Sequence, residues 1–157
     1  MRWMHDKDVM QFLEARFFDY TLDDLRKYAA NFENDPQNIL FGIFLNEDNR
    51  HIGNVKLGSI NKIHGTADIG IMIGDKTCWG KGYAAAAIRL VTKHAFGALD
   101  LRKVTAGAYS TNIASIAAFK RVGFVEEGRR KEQICYQGVY VDHVLLGCLR
   151  NTWFKAV

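Results

Sequence analysis

The chain has 157 residues, 48% of them apolar, and a single proline. That is enough for one well-packed domain and too little for two of ordinary size, so residues 1–157 read as a single domain. A net charge of +4, from 21 Lys and Arg against 17 Asp and Glu, mildly favours acidic ligands and lacks the clustered basic pattern of a nucleic-acid binder.

The opening MRWMHDKDVMQFLEARF puts charges where a signal peptide has its apolar stretch, and no run reaches the roughly 18 apolar residues of a membrane helix. The expectation is a cytoplasmic protein without a membrane partner. Cys78, Cys135 and Cys148 lack the short C-x-x-C spacing of a zinc or redox site, so they read as free thiols and no metal is expected.

In chain order, Val9, Phe12, Leu13 and Phe17 recur at helical spacing. Thr21-Leu-Asp-Asp24 then forms a capping-box-like start to a second helix with Leu22, Leu25, Tyr28 and Phe32 on one side. From Asn38 the pattern changes to three strands, about 38–45, 51–60 and 66–73, whose short connections allow only an antiparallel meander. The third contains Ile69-Gly-Ile-Met-Ile73, apolar on both alternating faces, as in a central strand covered on both sides.

A helix with Tyr83, Ile88, Leu90, Val91 and Phe96 follows, ending near Gly97, and a strand spans Lys103 to Tyr109. This strand–helix–strand unit is a parallel crossover. A short helix from Asn112 to Val122 stops at Gly123 and Phe124, the pattern of a Schellman cap. Two strands, about 124–136 and 139–149, turn at Gln137-Gly138. The fold class is α+β: a mixed, mostly antiparallel sheet with helices on both faces.

The run GDKTCWGKGYAAAA, Gly74 to Ala87, asks for an anion. A P-loop needs four residues between its outer glycines and a hydroxyl after the lysine; here Gly74 and Gly80 enclose five, and Gly82 holds the hydroxyl position. Gly80-Lys-Gly82-Tyr-Ala-Ala85 does read G-x-G-x-x-A, with Asp100 near the distance of a ribose-binding acid. Six residues separate Ile73 from Gly80, however, and Asp100 precedes its strand, so the dinucleotide context is wrong. A pyrophosphate cradle keeps every element: Gly80 and Gly82 let the backbone approach a phosphate, and the helix from Tyr83 aims free N–H groups at it without a metal.

At this point TCWGKGYAAAA resembles the acyl-CoA-binding loop of the GNAT superfamily of N-acetyltransferases, Gln/Arg-x-x-Gly-x-Gly/Ala, with Thr77 in the Gln/Arg position. NIASIAAFKRVGF, Asn112 to Phe124, is similar to that superfamily's Asn-x-x-Ser/Ala-x-x-x-Tyr/Phe-x-x-x-Gly-Phe helix. The closing EEGRRKEQICYQGVYVDHVLLGCL resembles the hairpin of the branch that acetylates ribosomal-protein N-termini, and the helical start resembles that of aminosugar acetyltransferases. Family members usually place a strand before the first helix, whereas Trp3-Met-His-Asp6 already reads as that helix's beginning.

The resemblance implies a GNAT fold with a splayed central pair of parallel strands, and acetyl-CoA as acyl donor. An N–H of Met72 or Ile73 is the expected donor to the thioester oxygen. Cys78, Trp79, Gly80, Lys81, Gly82, Tyr83 and Ala84 form the expected cradle, with Asn112, Ser115, Phe119 and Lys120 toward the pantetheine and phosphates. Ser115 is the candidate proton donor to the departing thiolate, since Phe119 cannot serve where relatives carry tyrosine. Asn112 and Ser115 also fit plain roles as N-cap and small helix residue.

Asp68 shares a strand face with Gly70 and Met72 and is the leading base; His64, Tyr109 and His143 are the other candidates. Phe17, Phe18, Tyr20, Tyr136 and Tyr140 mark the expected acceptor pocket. The acceptor is a small-molecule or peptide amine: an amino sugar nucleotide is preferred and a protein N-terminus is the alternative, while the basic excess leans away from polyamines. A catalytically silent acyl-CoA-binding module is the rival class, and a homodimer the candidate assembly.

Overall fold

The structure, a computed structural model, describes residues 2–156. The first segment does not form the one continuous helix its periodicity suggests. A 3-10 turn Arg2–His5, the single α-turn α1 (Lys7–Met10) and a second 3-10 turn Glu14–Phe17 follow one another. Asp6 starts α1 by accepting from the N–H groups of Asp8 and Val9, and Leu13 is extended, at φ −108° and ψ 136°. Tertiary contacts break the helix: Glu14 and Arg16 both bind the Tyr109 hydroxyl, and Phe12 packs on Tyr109 and Tyr136.

Helix α2 (Leu22–Ala30) begins with the expected capping box, Thr21 and Asp24 bonding each other's backbone N–H, yet fully buries none of its side chains. Strands β1 (Ile39–Phe44), β2 (His51–Asn61) and β3 (Thr66–Ile73) form the antiparallel meander. Helix α3 (Tyr83–Gly97) crosses to β4 (Lys103–Tyr109), which runs parallel to β3. Helix α4 (Ile113–Val122) ends at Gly123, whose φ of 105° suits glycine; the bonds Gly123 N–H to Lys120 O and Phe124 N–H to Phe119 O complete the stop. Strands β5 (Val125–Tyr136) and β6 (Val139–Leu149) join through Gln137 and Gly138, both at positive φ. A last helix, α5 (Arg150–Ala156), carries no sequence signal noted above.

Among the described residues six strands lie in the order β1-β2-β3-β4-β6-β5, with β3/β4 the one parallel pair. One face of this sheet is the core: Leu57, Ile69, Val104, Ala106 and Leu146 meet Ile88 and Phe96 of α3 and Phe119 of α4. Trp153 of α5 seals its edge, donating its indole N–H to Val122 O at 3.0 Å and packing on Phe96. On the opposite face Asp68, Gly70 and Gly107 are exposed. The run Ile69 to Ile73 is therefore not covered on both sides as its composition suggests: Ile69 is buried, but Ile71, Met72 and Ile73 are half-buried beside an opening in the sheet. No helix among the described residues is long and apolar enough to cross a membrane.

Candidate active site

The opening lies between β3 and β4. They pair only at Thr66 with Lys103, Ala67 with Val104 and Asp68 with Thr105. Beyond that point β3 stays with β2 as far as Ile73, and β4 with β6 as far as Tyr109, so the two diverge and leave main-chain groups facing a wedge. Strand alternation says which groups these are. Gly74 gives its N–H to Ile52 O of β2 at 2.9 Å, so Met72 points its N–H the same way and Ile71 and Ile73 point theirs into the wedge. Of the two expected donors, Ile73 faces the wedge and Met72 does not; Ile71, absent from the expectation, does.

The loop that closes the wide end of the wedge is built on Asp75. Its carboxylate caps the 3-10 turn Lys76–Cys78, accepting from Thr77 N–H at 3.0 Å and Thr77 Oγ1 at 2.7 Å, and it pairs with Arg50 at 2.5 Å. The Thr77 hydroxyl bond is the main cause holding the Asp75 carboxyl below its ordinary pKa, with burial opposing and Arg50 assisting. Gly74 must lack a side chain, since a β-carbon there would come within 2.0 Å of the Trp3 ring. Trp79 donates its indole N–H to Ile73 O at 2.8 Å, bridging loop and wedge.

Gly80 and Gly82 adopt φ of 73° and 86°, and a β-carbon on either would meet open space. The first loop-to-helix bond at this end runs from Ala86 N–H to Gly82 O. Among the described residues, the N–H groups of Gly80, Lys81, Gly82, Tyr83, Ala84 and Ala85 find no protein acceptor. Free N–H groups at the head of a 15-residue helix make a site for a phosphate or pyrophosphate.

Cys78 does not belong to this cradle. Its side chain is buried with Leu45 and Ile52, and its N–H is taken by Asp75 O. Tyr83 packs part of its ring on the same small cluster, Trp79 and Lys81 are exposed, and Ala84 is half-buried.

Helix α4 starts just after β4, at the rim of the wedge. Asn112 is its N-cap, the side-chain oxygen accepting from Ser115 N–H at 3.2 Å, and Ser115 is half-buried. Phe119 does not continue this line toward a ligand: it is 2% exposed and packs edge-on against Phe124 in the core. Nor is Lys120 free, because it lies 3.6 Å from Glu126, which also holds Arg129 at 2.6 Å.

On the open face, Asp68 lies at the apex of the wedge, 2.9 Å from Thr105 Oγ1. Although the residue reaches solvent, protein atoms crowd its carboxyl. This desolvation pushes the pKa above the ordinary carboxylate value, opposed by the Thr105 bond and the charges of Lys56 and His143. At the far end Tyr109 accepts from Arg16 at 2.5 Å and donates to Glu14, and Tyr136 donates to Gln11 at 3.1 Å. Burial, then the Glu14 bond, raise the Tyr109 pKa.

The expected acceptor aromatics thus divide. Tyr136 joins this cluster, whereas Phe17, Phe18 and Tyr140 are 63%, 65% and 70% exposed. His64 sits exposed in the β2–β3 turn. Sequence reasoning passed over Arg50, Asp75, Glu14 and Arg16; the Asp75-Lys-Thr77 spacing of a side-chain-capped turn was the one local signal among them. Among the described residues, no three His, Cys, Asp or Glu gather as a metal site.

Residues 1–125 match the family described as Acetyltransferase (GNAT) domain. The probable N-acetyltransferase YjcK of Bacillus subtilis (strain 168) is 37% identical over 137 residues, covering 83% of this chain and 74% of that protein. The putative ribosomal N-acetyltransferase YdaF of the same organism is 29% identical over 132 residues, or 84% of this chain and 68% of the relative. A third relative is the spermidine N(1)-acetyltransferase of Vibrio cholerae, 34% identical over 91 residues, 58% of this chain and 52% of its own. A crystal structure of spermidine N-acetyltransferase from Vibrio cholerae, in complex with CoA and spermine, superposes with a TM-score of 0.85 at 24% identity. That superposition covers 98% of this chain and 89% of that one, a likeness of fold.

Proposed function

The chain belongs to the acetyltransferase (GNAT) family and is an N-acetyltransferase; from that premise we propose that it moves the acetyl group of acetyl-CoA to a small cationic primary amine by direct attack. The observation that carries the reading is the wedge between β3 and β4, which ends at the uncommitted N–H groups of Gly80 to Ala85. That arrangement suits a ligand with an amide-bearing arm, a thioester at one end and a pyrophosphate at the other. The arm would lie along Ile71 and Ile73, and the pyrophosphate would meet the head of α3 without a metal.

In this reading the N–H of Ile71 or Ile73 supports the thioester oxygen as it gains charge, and Ser115 hydrogen-bonds the departing sulfur. No enzyme nucleophile is required, and the buried Cys78 supplies none. Gly80, Lys81, Gly82, Tyr83 and Ala84 would line the cradle, Trp79 would brace it through its bond to Ile73 O, and Asn112 would act by capping α4 and so presenting Ser115.

For the acceptor, two carboxylates favour a cation: Asp68 at the apex and Glu14 beside Tyr109. These two carboxylates, rather than the basic excess of the whole chain that the sequence reading used to lean away from polyamines, are the groups a cationic acceptor would meet. A spermidine acetyltransferase among the relatives supports the same choice. An amino sugar nucleotide, preferred on the helical start, has no counterpart in the relatives described above. A peptide N-terminus is the second reading, favoured by the closing hairpin and by the relative called a putative ribosomal N-acetyltransferase.

Thiol release from acetyl-CoA, followed with spermidine, glucosamine, a UDP-amino sugar and a peptide with a free N-terminal alanine, tests the assignment. Fastest release with spermidine is the expected result. Release with the peptide alone would transfer the assignment to the second reading, and none with any amine would leave an acyl-CoA-binding module.

A further inference from the structure

His143 stands on β6, opposite Tyr109 of β4 on one side and Arg130 of β5 on the other. Cross-strand partners share a face, so its side chain emerges on the open face with Asp68, Thr105 and Gly107. The imidazole lies across Gly107: a β-carbon there would fall 2.2 Å from His143 Nε2 and 2.8 Å from Cε1. Any larger residue at position 107 would evict the ring.

Across the wedge Gly70 of β3 also faces the open side, and a β-carbon on it would meet nothing within 4 Å. The ground between β3 and β4 just beyond the apex is thus a trough with a main-chain floor. The Asp68 carboxyl stands at its closed end, fixed by Thr105, and the His143 ring leans over it from β6. His143 is near enough for its charge to act on Asp68.

We propose that His143 is the general base that takes the proton of the acceptor amine, and that Asp68 holds that amine over the Gly70–Gly107 floor. This rests on the acetyltransferase reading above and replaces Asp68 as the group that accepts the proton. A carboxylate is a weak base toward an amine near neutral pH, whereas imidazole titrates there. In the step, His143 Nε2 takes one proton from the bound ammonium and passes it to water, and the neutral nitrogen bonds the thioester carbonyl carbon. The carbon–sulfur bond breaks, the thiolate takes a proton from the Ser115 hydroxyl, and the nitrogen's second proton leaves through His143 and water and restores the Ser115 hydroxyl. The products are the acetylamide and free thiol.

Groups facing the imidazole from the elements around it are Asp68, Tyr109 with Glu14 and Arg16 on its hydroxyl, and Arg130, with Lys56 one strand beyond Asp68.

The test measures kcat and KM against pH for the wild type, His143→Gln, His143→Ala and Gly107→Ala, with the best acceptor from the amine panel. His143→Gln is expected to lose about 100-fold in kcat with the KM for acetyl-CoA unchanged, and to lose the acid limb of kcat/KM. Gly107→Ala, which displaces the ring without removing it, should also lower kcat. Imidazole added to the medium should restore part of the activity of His143→Ala, a rescue that a merely structural histidine would not show. A kcat of His143→Gln within about threefold of wild type, or no rescue of His143→Ala, would overturn the proposal while leaving the acetyltransferase reading intact. A wild type that turns over no amine would overturn that reading and this one together.

Discussion

The hydroxyl of Thr77 lies 2.7 Å from the Asp75 carboxylate, turned back onto the cap of its own loop. In the resemblance drawn from sequence, this position belongs to a Gln or Arg that reaches the ligand. Here it serves Asp75, and through Asp75 and Arg50 it fixes the loop that leads to Gly80 and Gly82.

Asp75→Asn should therefore weaken acetyl-CoA binding several-fold at neutral pH by loosening the loop, which isothermal titration calorimetry would read. The sign with pH follows from the lowered carboxyl pKa. A carboxyl held below its unfolded value of 3.8 contributes stability that is present above that value and is lost as pH falls through the lower folded one. In the wild type the Asp75 contribution should persist across neutral and mildly acidic pH and fade only below about pH 4; the neutral amide of Asp75→Asn should remove that acid-range component.

Gly82 at φ 86° heads α3 with open space where a side chain would be. Gly82→Ala imposes a left-handed residue at a cost of about 1–2 kcal/mol, roughly a 5- to 30-fold loss if the loop relaxes to another conformation in response. Gly82→Val adds bulk where a phosphate would approach and should abolish binding. Direct titration with acetyl-CoA, alongside a thermal melt that reports the fold, separates the two effects.

Tyr109→Phe removes the hydroxyl that joins Glu14 and Arg16 to the end of β4. Two lost bonds cost about 2 kcal/mol net, or roughly 4–8 °C in Tm for a chain of this size. Because Glu14 and Arg16 would then be freed, the KM for the amine should rise while that for acetyl-CoA holds. Steady-state kinetics with each substrate varied in turn check this.

Ser115→Ala should lower kcat by about 10- to 100-fold with acetyl-CoA affinity nearly kept, since the helix cap by Asn112 uses the Ser115 backbone and survives the change. Single-turnover thiol release is the measurement; an unchanged rate would remove Ser115 from the proton path. Asn112→Ala, by contrast, should cost about 1 kcal/mol of stability and reduce activity through the position of α4.

What the sequence made legible was local chemistry. The Thr21–Asp24 capping box, the stop at Gly123 and the Gln137–Gly138 turn each follow from residues within one turn of one another, and all three stand where expected. The glycine run was readable for the same reason, because positive φ and a helix head are properties of consecutive residues.

The rest depends on partners distant in the chain. Residues 7–17 have helical periodicity, but Tyr109, some 95 positions from Glu14, draws Glu14 and Arg16 out of it. Cys78 sits in the middle of the motif and still turns inward, because Leu45 and Ile52 offer it a buried seat. The end of β3/β4 pairing at Asp68 and Thr105 leaves no mark on either strand's composition. Nor could either sequence segment show that Gly107 makes room for His143.

The central claim, that acetyl-CoA occupies the wedge with its pyrophosphate at the head of α3, is tested most directly by following backbone amide resonances during titration with acetyl-CoA. The account predicts that the amides of Gly80 to Ala85, together with Ile71 and Ile73, shift most, and that Met72 and Cys78, whose N–H groups are committed to the protein, shift less. Saturable shifts clustered elsewhere, with the Gly80–Ala85 amides unmoved, would contradict it.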